Sequence, residues 1–181
     1  MPRNHFYLAV YMSNFFLISI ILSSVGGLIP FLASDLNIDE RDYSIIFTLL
    51  SLTNILAAII YKTLEKHSLL PKGHTICLIC VIGMAIFALG MSFMRIKNTQ
   101  CFILAVFNLF CYGLIIQTNI CLILAAPVEE VGRWLSFAHG FYGMGGLVGP
   151  ILVGIVRQDV FLLETVACLG LAAAYLFLKS P

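Results

Sequence analysis

Six long apolar runs, separated by short polar breaks, organise the chain from end to end. They cover residues 6–33, 43–61, 73–94, 101–126, 135–156 and 160–178. Each is close to or above the ~20 residues that an α-helix needs to cross the hydrocarbon core of a bilayer. Transmembrane strands are shorter and alternate apolar with polar positions. These runs are continuous, so the pattern predicts helices. The breaks at 35–42, 62–72, 95–99, 127–133 and 157–159 carry most of the charge, and none is long enough to fold by itself. The expectation is an all-α polytopic membrane protein, a single domain over residues 1–181 with six transmembrane helices. Its first run is far longer than the ~7–15 apolar residues of a secretory signal, and it reads as a retained span.

Composition strengthens this picture. Hydrophobic residues make up 61% of the chain and charged residues 10%, against about 25% charged in soluble domains; mean hydropathy is +1.03. The bilayer is therefore the first partner. A net charge of +1 leaves no basic field for nucleic acid. The six cysteines, Cys77, Cys80, Cys101, Cys111, Cys121 and Cys168, lie in or beside apolar runs, where cysteine behaves as a small hydrophobe. Cys77-x-x-Cys80 has no second pair or histidine cluster with it, so neither a metal site nor a redox motif is expected. The Lys/Arg bias of short loops favours cytoplasmic termini. Arg3, Lys62, Lys66, Lys72, Arg133 and Lys179 would then lie inside, and Arg41, Arg95, Lys97 and Arg157 outside.

Polar groups at membrane depth are costly and tend to face a bundle interior or a watery cavity. In the fourth run Asn108, Tyr112 and Asn119 share a helical face, with Gln117 nearly opposite. The fifth carries a stripe of Ser136, His139, Gly143 and Gly146. Ser13, Asn14, Ser23 and Ser24 mark the first, and Thr48, Ser51, Thr53 and Asn54 the second. The third and sixth hold only a few Ser, Thr and Cys among their uncharged polar groups. Spans one, two, four and five are thus expected to line a cavity, with three and six facing lipid. Asn14, Asn108, Asn119 and His139 are the candidate substrate-binding residues. The competing reading is that such groups bond neighbouring helices, at about 0.6–2 kcal/mol each. His139 admits ligand binding, proton relay or simple packing. Glu164, one turn into the sixth run, is expected to snorkel to the outer surface. Gly140, Gly143, Gly145, Gly146, Gly149 and Gly154 with Pro150 crowd the fifth run, where Gly145-x-x-x-Gly149 has the spacing of close helix packing and Pro150 adds a kink. Metalloprotease, nucleophile-elbow and Walker patterns are missing, so neither an enzyme nor a cofactor is expected.

Three stretches carry a family resemblance. Gly26-Gly27-Leu28-Ile29-Pro30 with Leu32-Ala33 closes the first run. Tyr43-Ser44-Ile45-Ile46-Phe47-Thr48 opens the second, followed by Leu64-Glu65-Lys66-His67 in the basic loop. The most specific is His139-Gly140-Phe141-Tyr142-Gly143-Met144-Gly145-Gly146-Leu147-Val148-Gly149-Pro150. Together they resemble the N-terminal six-helix half of a major facilitator superfamily transporter. Within that superfamily they are similar to the sodium-dependent glucose transporter-like and fucose–proton symporter branch. The departures are Ala57-Ala58 and Glu65-Lys66 where the loop signature has Gly and Asp-Arg, and the lack of coupling carboxylates in the first and fourth helices, where Asn14, Gln117 and Asn119 stand. The resemblance implies secondary transport of a small polar solute, a sugar, by alternating access, as half or fragment of a twelve-helix fold. A second six-helix half, or a parallel homodimer, would complete it. The alternative is a non-transporting six-helix membrane subunit or a regulatory or decayed paralogue.

Overall fold

The computed structural model describes residues 2–67, 73–94 and 96–178. Lys72, Arg95 and Lys179, which the orientation argument uses, lie outside the described residues, as does the side chain of Arg3. Six long helices form the fold: α1 (Pro2–Asp35), α2 (Ile45–Lys66), α3 (Gly73–Phe93), α4 (Lys97–Ala125), α5 (Val131–Val156) and α6 (Val160–Phe177). All six are long and apolar enough to cross a membrane, and the protein is an integral multi-pass membrane protein.

Short polar devices set the ends. Asn37 takes a positive φ of 53°, which asparagine tolerates, and turns the chain out of α1. The Asp39 carboxylate then accepts from the Arg41 N–H at 2.9 Å and starts the one-turn helix Glu40–Tyr43 ahead of α2. At the far end of α5, Arg157 has φ 51° and donates its N–H to the Val153 carbonyl. Several boundaries lie outside the apolar runs: α1, α4 and α5 begin four residues early, and α2 runs on to Lys66, so Glu65 and Lys66 form its last turn rather than a loop. The long stems of Lys62 and Lys66 let a helix continue past its apolar end.

Helix α1 is the hub. It packs along α5 and also touches α4 and α6; α3 packs on α4 and α6, and α2 on α4. Glycine makes the α1–α5 contact possible. A Cβ added to Gly145 would lie 2.3 Å from the Phe16 carbonyl oxygen, and one on Gly149 would lie 2.5 Å from that of Ile20 and 2.0 Å from Ser23 Oγ. Backbone therefore meets backbone, which is the use of small residues four apart in lipid. Gly143, part of the same motif, meets nothing within 4 Å, while Gly146 would only brush Ser19 Oγ at 3.3 Å.

The expected split between cavity-lining and lipid-facing spans changes in form. Helix α3 exposes one stripe, Ile79, Ile82, Ile86, Leu89 and Phe93, at the three-and-four spacing of a lipid-facing strip. Its other side is buried, and α6 behaves likewise. Instead α2 and α5 are the least enclosed, with 17% of their apolar windows buried against 44% in α3 and α6.

Single cysteines placed at 35–42 and at 62–67, in a background with the six native thiols replaced, are expected to react with an impermeant maleimide from opposite sides of the membrane. Reaction of both from one side would overturn the arrangement with both termini cytoplasmic.

Candidate functional site

Polar side chains tie α4 at three levels to α2 and to the one-turn helix ahead of it. Nearest the α2 N-terminus, Tyr43 donates its hydroxyl to Gln100 Oε1 at 2.8 Å, and Gln100 Nε2 donates to the Met94 carbonyl at 2.9 Å. In the middle, Asn108 Nδ2 faces the Leu50 carbonyl, Thr53 Oγ1 and Asn54 Oδ1 at 2.9, 2.7 and 2.6 Å. Toward the α2 C-terminus, Tyr61 donates to Gln117 Oε1, whose amide nitrogen sits 3.4 Å from Cys121 Sγ.

A second polar cluster lies where α1, α3, α4 and α6 meet. Tyr11 Oη is 2.6 Å from His74 Nε2, and the imidazole stacks on Tyr7 at 5.6 Å between centroids. Asn14 donates to Thr118 Oγ1 at 3.0 Å and to the Tyr175 hydroxyl. Its side-chain oxygen has no partner among the described residues. Such groups stay buried in lipid only when helices satisfy one another.

No hydrogen bond or cleft among the described residues joins any two of the four residues expected to bind substrate. Asn14 is fully buried and Asn108 is 3% exposed, and both spend their amides holding helices together. Shared spacing on a helix face did not distinguish a neighbour's carbonyl from a solute. Asn119 is half-buried, and among the described residues its amide nitrogen bonds only to the Ile115 carbonyl of its own helix, at 3.0 Å. His139 is exposed on α5, with Nδ1 2.8 Å from the Leu135 carbonyl and its ring stacked 6.1 Å from Phe15. Ser136 and Gly143 of the same stripe are exposed too. Tyr112 lines a cleft of about 350 Å³ between α2 and α4, with Asn54, Ala58 and Lys62. A second cleft of about 480 Å³, between α1 and α5, is lined by Leu8, Met12, Ser13, Trp134 and Phe141.

Two residues were missed or misread. His74 stands in the first turn of α3, and a lone histidine opening an apolar run was the available signal. Glu164 does not snorkel. It is 3% exposed, and neither carboxylate oxygen has a hydrogen-bond partner among the described residues. All six cysteines are buried and free, and the described residues contain no group of three or more potential metal ligands.

Residues 11–181 match the model of the Major Facilitator Superfamily. No curated protein matches the chain.

Proposed function

The chain belongs to the Major Facilitator Superfamily, and from that premise we propose that it moves a small polar solute across the membrane by alternating access, as one six-helix half of a secondary transporter. The observation that carries the reading is the family match over residues 11–181, on a fold with six membrane-length helices. The two halves of such a transporter are parallel repeats about an axis normal to the membrane, with solute held near the midplane between them. The scant burial of α2 and α5 supports pairing with a second half, because those helices hold the faces this bundle leaves uncovered. The stretches at 26–33, 43–48 and 139–150, similar to the glucose and fucose carriers, make sugars the first solutes to try.

Among the candidate residues, Asn119 and His139 fit solute contact better than Asn14 and Asn108. The side-chain oxygen of Asn119 and Nε2 of His139 are uncommitted among the described residues. With the Tyr112 hydroxyl they offer the mixed donors and acceptors that a polyol needs in a mostly apolar site.

The test is uptake of a panel of labelled sugars by the reconstituted chain over a range of protein densities. Dispersed monomers are expected not to transport. Uptake rising with the square of density would favour pairing of two copies. Saturable uptake by verified monomers would refute the half-transporter reading. No uptake at any density, with the helical fold intact, would favour the non-transporting subunit.

A further inference from the structure

Glu164 sits on α6, which packs mainly on α3 and also against α1. Ser24 of α1 is the hydroxyl beside it, and Cys111 of α4 and Cys168 of α6 are the titratable groups near it. Tyr142 of α5 stands beyond, next to Cys111. Cys111 is the midpoint of α4, about 21 Å of helix rise from either end. The carboxyl group is therefore deep, and no cation stands against it among the described residues.

Hydrogen-bond chemistry narrows its state. The Ser24 hydroxyl already donates its one hydrogen to the Ile20 carbonyl at 2.8 Å, so toward Glu164 it has only lone pairs to offer. A carboxylate is an acceptor, and neither of its oxygens reaches a donor among the described residues. A carboxylic acid brings its own hydrogen and matches the site. One carboxylate beside a hydroxyl and two thiols does not supply the six or more oxygens that calcium takes or the octahedron that magnesium demands.

We infer that Glu164 is a proton-binding site on α6, enclosed by the helices packed around it. Uptake joins one proton to a carboxylate oxygen, and release returns it to water. Because Glu164 is 3% exposed, exchange with water requires the helices around α6 to part, which links protonation to helix movement. The inference depends on the membrane-embedded fold and not on any solute, so it stands or falls separately from the transport reading.

An apolar carbodiimide tests it on the wild-type protein in lipid nanodiscs. The protonated acid adds across the carbodiimide to give an acylurea, which stays on the residue and is located by mass spectrometry. Glu164 is expected to be modified on the acid side of neutrality, with labelling falling about tenfold for each pH unit once the acid ionises. Glu164→Gln should abolish that adduct, and Glu164→Asp should restore one. Labelling of Glu164 that does not change with pH, or labelling confined to loop carboxylates at every pH, would overturn the proposal. Protection by sodium but not by choline at equal ionic strength would also overturn it, in favour of a metal cation. A carboxyl group held permanently neutral would be labelled equally at every pH.

Discussion

Gly149→Ala is expected to destabilise the bundle by about 3 kcal/mol, at the upper end of what overpacking a closed contact costs. The added Cβ would stand 2.0 Å from Ser23 Oγ and 3.0 Å from the Ser24 nitrogen. A side chain can swing away, but the 2.5 Å approach to the Ile20 carbonyl oxygen is to backbone. The α1–α5 seam must therefore separate along its length. Gly145→Ala should behave alike, since its new Cβ would stand 2.3 Å from the Phe16 carbonyl oxygen and 2.9 Å from Ser19 Cβ. Gly143→Ala and Gly154→Ala are the controls. Nothing lies within 4 Å of either, and a gain of up to about 1 kcal/mol in helix propensity is expected. Thermal unfolding in nanodiscs separates the two sets. If all four variants melt together, the glycine seam is wrong.

The second large effect is at Asn108. Its amide carries two hydrogens and faces three acceptors on α2, so they share them. Asn108→Leu removes this tie and leaves the three acceptors to find other partners. Such interhelical bonds contribute up to about 2 kcal/mol in membranes, and a loss of that size is expected. Asn119→Ala should change stability by less than about 0.5 kcal/mol, because its amide bonds only within α4. Equal losses at the two positions would mean that Asn119 also holds helices together.

The fold was legible because membrane length is a one-dimensional property. Residues 73–94 and 160–178 had to cross whatever their partners, and α3 and α6 fill those stretches to within a residue or so. Gly145 and Gly149 were legible too, since spacing alone tells which face of a helix comes close to another. The site was less so. Asn108 and Asn119 lie on one face by periodicity, yet one reaches α2 and the other does not, and the outcome depends on where α2 crosses. Glu164 misled for a related reason. One turn from a helix start is shallow along α6, but its neighbours there, Ser24 and Cys111, stand well inside the ends of the longer α1 and α4. Depth in a bundle is a property of the assembled helices.

The ties that α4 makes to α2 and to the one-turn helix ahead of it have a mechanical consequence. Gln100 and Gln117 are about 25 Å apart along α4; Asn108 and Gln117 bond α2, and Gln100 bonds Tyr43 just ahead of it, so the stretch is held at three levels. Directional bonds at three levels resist sliding, so α2 and α4 form a stiff strut that carries displacement from one membrane surface to the other without slip. The α1–α5 seam has no such pins among the described residues. Its glycine contacts are non-directional and can rock about their line of closest approach.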